Sequence, residues 1–392
     1  MNPSVRCILA ATLLCSIVAP GTSSGADPID ASCVPVGRWV SPGGGVQSAP
    51  ALTTALSRQR VVLLGEGHDI PEHHRWQMQT IAALHAQRPD LVLGFEMFPR
   101  TAQPVLDRWV AGALSETELL RDTDWKRTWR FDAQMYLPIF HFARMNRIPM
   151  VALNVEPAFV REVSTAGFDA VPEERREGVS RPAPALPAYE QFLFESYAQH
   201  PSGPEGASPK RDDPRFRHFV ESQLVWDRAM AQRIAEVFTT HPDALVVALM
   251  GTGHLMNRWG VPHQLLALGV PDATVLLPWE PENDCATLVA GYADAVFGLG
   301  PRSEESAPRP RLGLWLEPVS GGVAIKDLEK GGIGDQAGLR QGDVLVEVAG
   351  RPPRLPGDVS DAVQRQAPGT WLPLKVRRDG RTLEIIAKFP PS

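Results

Sequence analysis

At 392 residues the chain has room for two or three domains. Hydrophobic residues make up 43% and charged residues 21%, the balance of a folded globular protein rather than a disordered one. A net charge of −6 and a pI near 6.0 exclude the basic footprint of a nucleic-acid binder.

The chain opens like a secretory signal. Arg6 supplies the positive charge, Cys7 to Ala19 the apolar run, and Ser24-Gly25-Ala26 the small residues before a cleavage point at Asp27. The apolar run is too short to span a membrane comfortably. Thr12-Leu13-Leu14-Cys15 resembles a bacterial lipobox, but Leu14 is larger than the small residue needed before the cysteine. The expectation is therefore an exported, periplasmic protein cleaved after residue 26, in preference to a lipoprotein. Cleavage leaves Cys33 and Cys285, which an oxidising compartment permits to pair; a disulfide is favoured over two separate thiols.

Gly43-Gly44-Gly45 marks a flexible entry, and from Val61 apolar strands alternate with amphipathic helices. That alternation predicts an α/β domain over residues 27–300, with a mostly parallel sheet flanked by helices. Val61 to Leu64 runs into Gly65-Glu66-Gly67-His68. A helix follows, with Asp69 as N-cap, Pro71 and Glu72 in its first turn, and Trp76, Thr80, Ala83 and Leu84 facing the core. Strands are predicted at Leu91 to Glu96 and Pro149 to Asn154, with helices over Thr101 to Ala111 and Ala133 to Asn146 between them. Val171 to Arg217 reads as a surface insertion containing a helix from Leu186 to Gln199. A long helix, Phe219 to Phe238, leads to a second apolar strand ending in Gly251-Thr252-Gly253-His254. A helix near Val261-Pro262 and a strand at Ala273 to Leu277 close the domain, and residues 301–310 have linker composition.

Residues 311–392 form a separate, small β-rich module. Leu312-Gly313-Leu314-Trp315-Leu316, Asp335-Gln336-Ala337-Gly338-Leu339 and Gly342-Asp343-Val344-Leu345 resemble a PDZ domain of the bacterial periplasmic-protease type. The resemblance implies capture of extended peptides, above all C-terminal tails, by strand addition. It places the carboxylate loop on Leu312, Gly313 and Leu314, and the far wall of the groove on Val359 and Val363. A module that only packs on the first domain is the alternative.

The chemistry gathers in the first domain. Parallel strands would deliver Glu66, His68, Glu96, Asn154 and His254 to one sheet edge, where open α/β sheets place their sites. Carboxylates with imidazoles serve general acid/base work, with Glu66, His68, Glu96 and His254 as catalytic candidates. They also serve a divalent metal, with Glu66, His68 and His254 as ligands. One of His73 and His74 can join them, but adjacent helical residues diverge by about 100° and both cannot.

Gly65-Glu66-Gly67-His68-Asp69, Gly94-Phe95-Glu96-Met97-Phe98, Ala152-Leu153-Asn154, Trp226-Asp227-Arg228-Ala229-Met230-Ala231 and Gly251-Thr252-Gly253-His254 together resemble the ChaN-like haem-binding uptake family of the Tiki superfamily. The resemblance implies an exported or lipid-anchored bacterial protein linked to iron supply, with haem binding described for family members. It equally implies kinship with metal-dependent peptidases and erythromycin-esterase-like hydrolases, whose catalytic positions look like His68, Glu96 and His254. A haem ligand would be a histidine or one of the four tyrosines Tyr136, Tyr189, Tyr197 and Tyr292. Trp125 and Trp129, with Arg127 and Arg130 interleaved, line a ligand cleft or cap the core. A homodimer is left open.

Overall fold

Val61–Glu66 and Leu245–Gly251 are wholly buried and lie side by side as parallel strands, with Glu66 opposite Gly251. Each is apolar at every interior position because the sheet is covered on both faces. Val62 and Leu64 join one hydrophobic cluster while Val61 and Leu63 join the cluster on the other face. The structure, a computed structural model, describes residues 33–199, 210–301 and 311–391. The expected signal sequence and, apart from Pro301, the expected linker lie outside the described residues.

The strands in chain order are β1 (Trp39–Val40), β2 (Val46–Gln47), β3 (Val61–Glu66), β4 (Leu91–Pro99), β5 (Met150–Asn154), β6 (Leu245–Gly251), β7 (Ala273–Trp279) and β8 (Ala295–Gly298). They form one sheet in the order β2-β1-β8-β7-β3-β6-β4-β5. From β8 to β5 neighbouring strands are parallel, and β1 and β2 add an antiparallel edge. The chain leaves β3 for β4 and β5 and returns as β6 between β3 and β4. The carboxyl ends of β3, β6 and β4 are thereby neighbours.

The helices are α1 (Ala49–Leu56), α2 (Pro71–Gln87), α3 (Gln103–Val110), α4 (Glu116–Asp122), α5 (Trp125–Thr128), α6 (Leu137–Met145), α7 (Pro157–Ala166), α8 (Pro187–Gln199), α9 (Pro214–Thr240) and α10 (Val261–Ala267). In α2 the N-cap is Ile70, not Asp69, and Ala83 is exposed while Ile81 takes a fully buried position. Strand β4 runs three residues past the expected end at Glu96, which leaves Glu96 inside the strand and buried. Helix α8 packs Tyr189, Leu193 and Tyr197 against Phe216, Val220 and Leu224 of α9. The inserted helix therefore has a small core of its own. Cys33 and Cys285, 252 positions apart, form a disulfide with Cα atoms 5.8 Å apart.

The chain divides into two compact units that part after Pro301. The second is an antiparallel sheet of β9 (Leu314–Val319), β10 (Gly322–Leu328), β11 (Val344–Val348), β12 (Trp371–Arg378) and β13 (Arg381–Lys388), in the order β13-β12-β11-β10-β9. Helices α11 (Ile333–Gln336) and α12 (Pro356–Gln364) complete it. The buried Asp343 carboxylate takes paired bonds of 2.7 Å from Arg378 and one of 2.9 Å from the Arg340 amide. A buried carboxylate is tolerated only when satisfied in this way.

Candidate active site

The edge of the sheet formed by β3, β6 and β4 carries two imidazole–carboxylate pairs with a third carboxylate between them. Glu66 ends β3, and its buried Oε1 lies 2.9 Å from His68 Nδ1. The same oxygen accepts from the Tyr136 hydroxyl at 2.7 Å, and Oε2 accepts from Gln77 Nε2 at 2.9 Å. His68 is the open member, with 28% of its side chain exposed, and its Nε2 has no hydrogen bond to the described residues. Its ring packs on Trp129 at 4.6 Å and Phe131 at 5.1 Å between centroids.

The second pair is deeper. His254 follows β6 in a short 3₁₀ turn, and its Nδ1 lies 2.6 Å from Asp227 Oδ1. Asp227 sits wholly buried on α9 and accepts from the Tyr189 hydroxyl of α8 at 2.8 Å. Trp226 packs against the His254 ring at 5.2 Å. Each imidazole thus has a carboxylate behind it, a tyrosine hydroxyl behind that, and an indole beside it.

Glu96 lies between the pairs. Its Oε2 accepts from the Gly251 amide at 2.6 Å, and its Oε1 is 3.5 Å from His254 Nε2. Burial alone pushes the Glu96 carboxyl up, but His254, His68 and the Gly251 amide outweigh it and hold the pKa below the usual range. Burial pushes the His254 imidazole down, yet the charges of Glu96 and Asp227 and its bonds to them drive it up to about 10. For Asp227 burial wins, and its pKa lies above the usual carboxylate value despite His254 and Tyr189. His68 is also pushed down by burial, but the bond to Glu66 and the charges of Glu96 and Glu66 leave it raised. His254 is therefore a cation at neutral pH, and His68 is the more exposed imidazole, held above its ordinary value.

Of the predicted residues, Glu66, His68, Glu96 and His254 meet at this edge. Asn154 instead braces it: its amide donates to the Glu96 carbonyl at 3.0 Å and its Oδ1 accepts from Val155. His74 lies behind the first pair, with Nε2 3.2 Å from the His68 carbonyl, while His73 Nδ1 accepts from the Gly67 amide. Trp125 is a core residue donating to the Phe131 carbonyl; only Trp129 reaches His68. Among the described residues, no group of three or more His, Cys, Asp and Glu is arranged to hold a metal ion. The expected ligand set Glu66, His68 and His254 is split, because Glu66 is taken up by Tyr136, Gln77 and His68 while His254 is clamped by Asp227 and Glu96.

The tyrosines do not fit a haem ligand. Tyr136 and Tyr189 are buried donors to carboxylates, and burial with those charges raises both far from phenolate formation. Tyr197 is buried in the core of the insertion, and burial raises Tyr292. His68 fits better: its Nδ1 is oriented by a carboxylate and its Nε2 is free, the arrangement of a metal-ligating histidine.

Asp227, Gln77 and the supporting roles of Tyr136 and Tyr189 escape a reading by strand ends, since all lie on helices or in the segment before one. The one available signal is an aspartate on the apolar face of a long helix, within Trp226-Asp227-Arg228.

A family model described as haem-binding uptake, Tiki superfamily, ChaN matches residues 52–265. The chain belongs to this family. A PDZ-domain model matches residues 325–378 of this ChaN-family chain. The solved structure of ChaN of Campylobacter jejuni, described as showing cofacial haem binding, is 20% identical with a TM-score of 0.51, covering 64% of this chain and 92% of that one. That likeness establishes the fold. Among curated proteins, the "Probable periplasmic serine endoprotease DegP-like" of Chlamydia trachomatis is 32% identical over 95 residues, 21% of this chain and 19% of the relative. The magnetosome formation protease MamE of Paramagnetospirillum magneticum is 42% identical over 72 residues, 18% of this chain and 10% of the relative. This chain spans a fifth or less of the length of these curated relatives.

In the second unit, Leu312, Val359 and Val363 are buried in the hydrophobic core, so their side chains hold their own domain together. Gly313 has φ +70, and Leu314 is half-buried at the start of β9.

Proposed function

We propose that this ChaN-family protein handles haem or its iron in the bacterial envelope, with the PDZ domain capturing peptide tails. The observation that carries the haem reading is the free Nε2 of His68 at the open edge of the site, backed by Glu66 and flanked by Trp129 and Phe131. Bound haem would supply an iron centre, for which His68 would be the donor. Glu66 would hold the His68 ring in place, the aromatic rings would face the macrocycle, and the exposed Arg130 beside Trp129 would meet carboxylates. An envelope location is supported by the signal-like opening and by the Cys33–Cys285 disulfide, which fits an oxidising compartment. Among the described residues no helix is long and apolar enough to cross a membrane.

Haem titration followed at the Soret band tests this. A shifted, saturable band in the native chain and its loss in His68→Ala is the expected result. No band shift in the native chain, or an unchanged one in His68→Ala, overturns it.

A second reading is hydrolysis, favoured by the clamping of His254 between Asp227 and Glu96. His68 Nε2 would take a proton from water as its oxygen bonds to a substrate carbonyl carbon. The His254 cation would stabilise the oxyanion, and collapse would expel a leaving group that takes the proton from His68. Turnover of ester or peptide substrates, falling about 10²- to 10⁴-fold in His68→Ala, would support it; no turnover by the native chain would exclude it.

A further inference from the structure

Among the described strands β9 is an outer edge of the second sheet, and α12 packs against it. Which of its backbone groups face outward follows from the ladder. Ile325 of β10 donates to Asp343 and accepts from Gly342, so both of its polar groups point away from β9. Ile325 is opposite Leu316. In an antiparallel pair such a residue leaves its partner's N–H and C=O directed to the other side. Leu316 therefore presents both groups to the free edge. Pairing alternates along β9, so Leu314 and position 318 face the same way. The inward turn of Gly313, whose carbonyl accepts from Glu329, agrees with this phase.

Residue 318 is proline, exposed and opposite Val323. It has no N–H to offer. The outward edge thus presents donor and acceptor at Leu314 and Leu316, then an acceptor alone at Pro318. Leu314 and Leu316 also turn their side chains toward the core side, where both pack at its margin. A strand added here meets a complete ladder only beside the Leu312-Gly313-Leu314 loop.

We infer that Pro318 sets the length of peptide this domain reads: two-way backbone pairing is confined to about the last four residues of a C-terminal tail, and beyond them only the Pro318 carbonyl is left to accept. The inference rests on the proposal that the second unit takes up peptide tails. It makes Pro318 a specificity-determining residue, because a ligand gains no donor from the edge beyond Leu316. The same proline limits pairing of this edge with another sheet.

The test uses the full chain and synthetic peptides that share three apolar C-terminal residues and carry zero, one, three or five serines before them. In the native chain, affinity should rise with the first added residue and then level off. In Pro318→Thr, which restores the amide, the longest peptides should bind about threefold to tenfold tighter than in the native chain, with the shortest unchanged. Hydrogen exchange should show the Leu316 amide protected by peptide in both chains. Continued gain with length in the native chain, or the same length profile in the variant, overturns the inference. If neither chain binds any peptide, peptide capture itself fails, and the inference with it.

Discussion

His254 Nδ1 lies 2.6 Å from Oδ1 of Asp227, a residue 27 positions earlier on a different element. The contact joins β6 to α9 and, through Tyr189, to the inserted helix α8. It also lets a wholly buried aspartate coexist with the buried Glu96, since the imidazolium stands between them. His254→Ala would leave two carboxylates facing each other without a cation, at a cost of ~3–5 kcal/mol. Chemical denaturation at pH 7 measures that loss.

The same pair predicts the alkaline limit of stability. The folded pKa of His254, about 10, lies above its unfolded value of 6.5. The stabilisation from its charge is complete below pH 6.5 and disappears as pH rises through 10. Melting temperature of the native chain should fall from about pH 6.5 to about pH 10, and His254→Ala should lack that fall.

His68 controls access to the site through its own proton. Its pKa is raised above 6.5, chiefly by the bond to Glu66 and the nearby charges, which outweigh burial. A proton on Nε2 blocks both a metal centre and general-base action. Haem affinity, or hydrolytic rate, should therefore increase as pH rises through a midpoint above 6.5. Glu66→Gln removes the charge that raises that pKa and should move the midpoint down. Titration in a series of buffers reads both.

Gly251 is the residue that gives the His68 ring its room. A Cβ there would sit 3.0 Å from His68 Cε1, 3.2 Å from its Nε2 and 3.7 Å from Glu96 Oε2. The backbone itself, at φ −56 and ψ 138, accepts any residue. Gly251→Ala should therefore push His68 outward, costing stability only ~1 kcal/mol while weakening haem binding or turnover on the order of tenfold or more. Equal melting curves with unchanged binding and turnover would refute this role.

The Cys33–Cys285 disulfide closes a loop of 252 positions around the whole α/β unit. Cys285→Ser should cost ~2–4 kcal/mol without altering the site. Denaturation of the native chain with and without a reductant gives the same comparison.

Strands β3, β5, β6 and β7 were legible because buried parallel strands are continuous apolar runs. The short strands β1, β2 and β8 were not, since strands of two to four residues carry too little pattern. Helix α2 shows how local rules yield to packing. Asp69 has the chemistry of an N-cap, but the Gly67 to Ile70 turn is set by a backbone bond and by His73 taking the Gly67 amide, so the helix starts one residue later.

The chain's sequence alone determined where the core strands of the α/β unit lie, that Glu66, His68, Glu96 and His254 share an edge, and that a PDZ module follows, while β4 ran three residues past its expected end. Periodicity and strand-end glycines are local properties, and they survive any arrangement of the helices. Only the tertiary structure decided the pairing within that edge. Asp227 reaches His254 because α9 packs against the sheet, Tyr189 reaches Asp227 because α8 packs on α9, and Tyr136 reaches Glu66 across 70 residues of sequence. Those contacts depend on packing between distant elements, which no spacing along the chain encodes, and they separate the buried cation His254 from the more open His68.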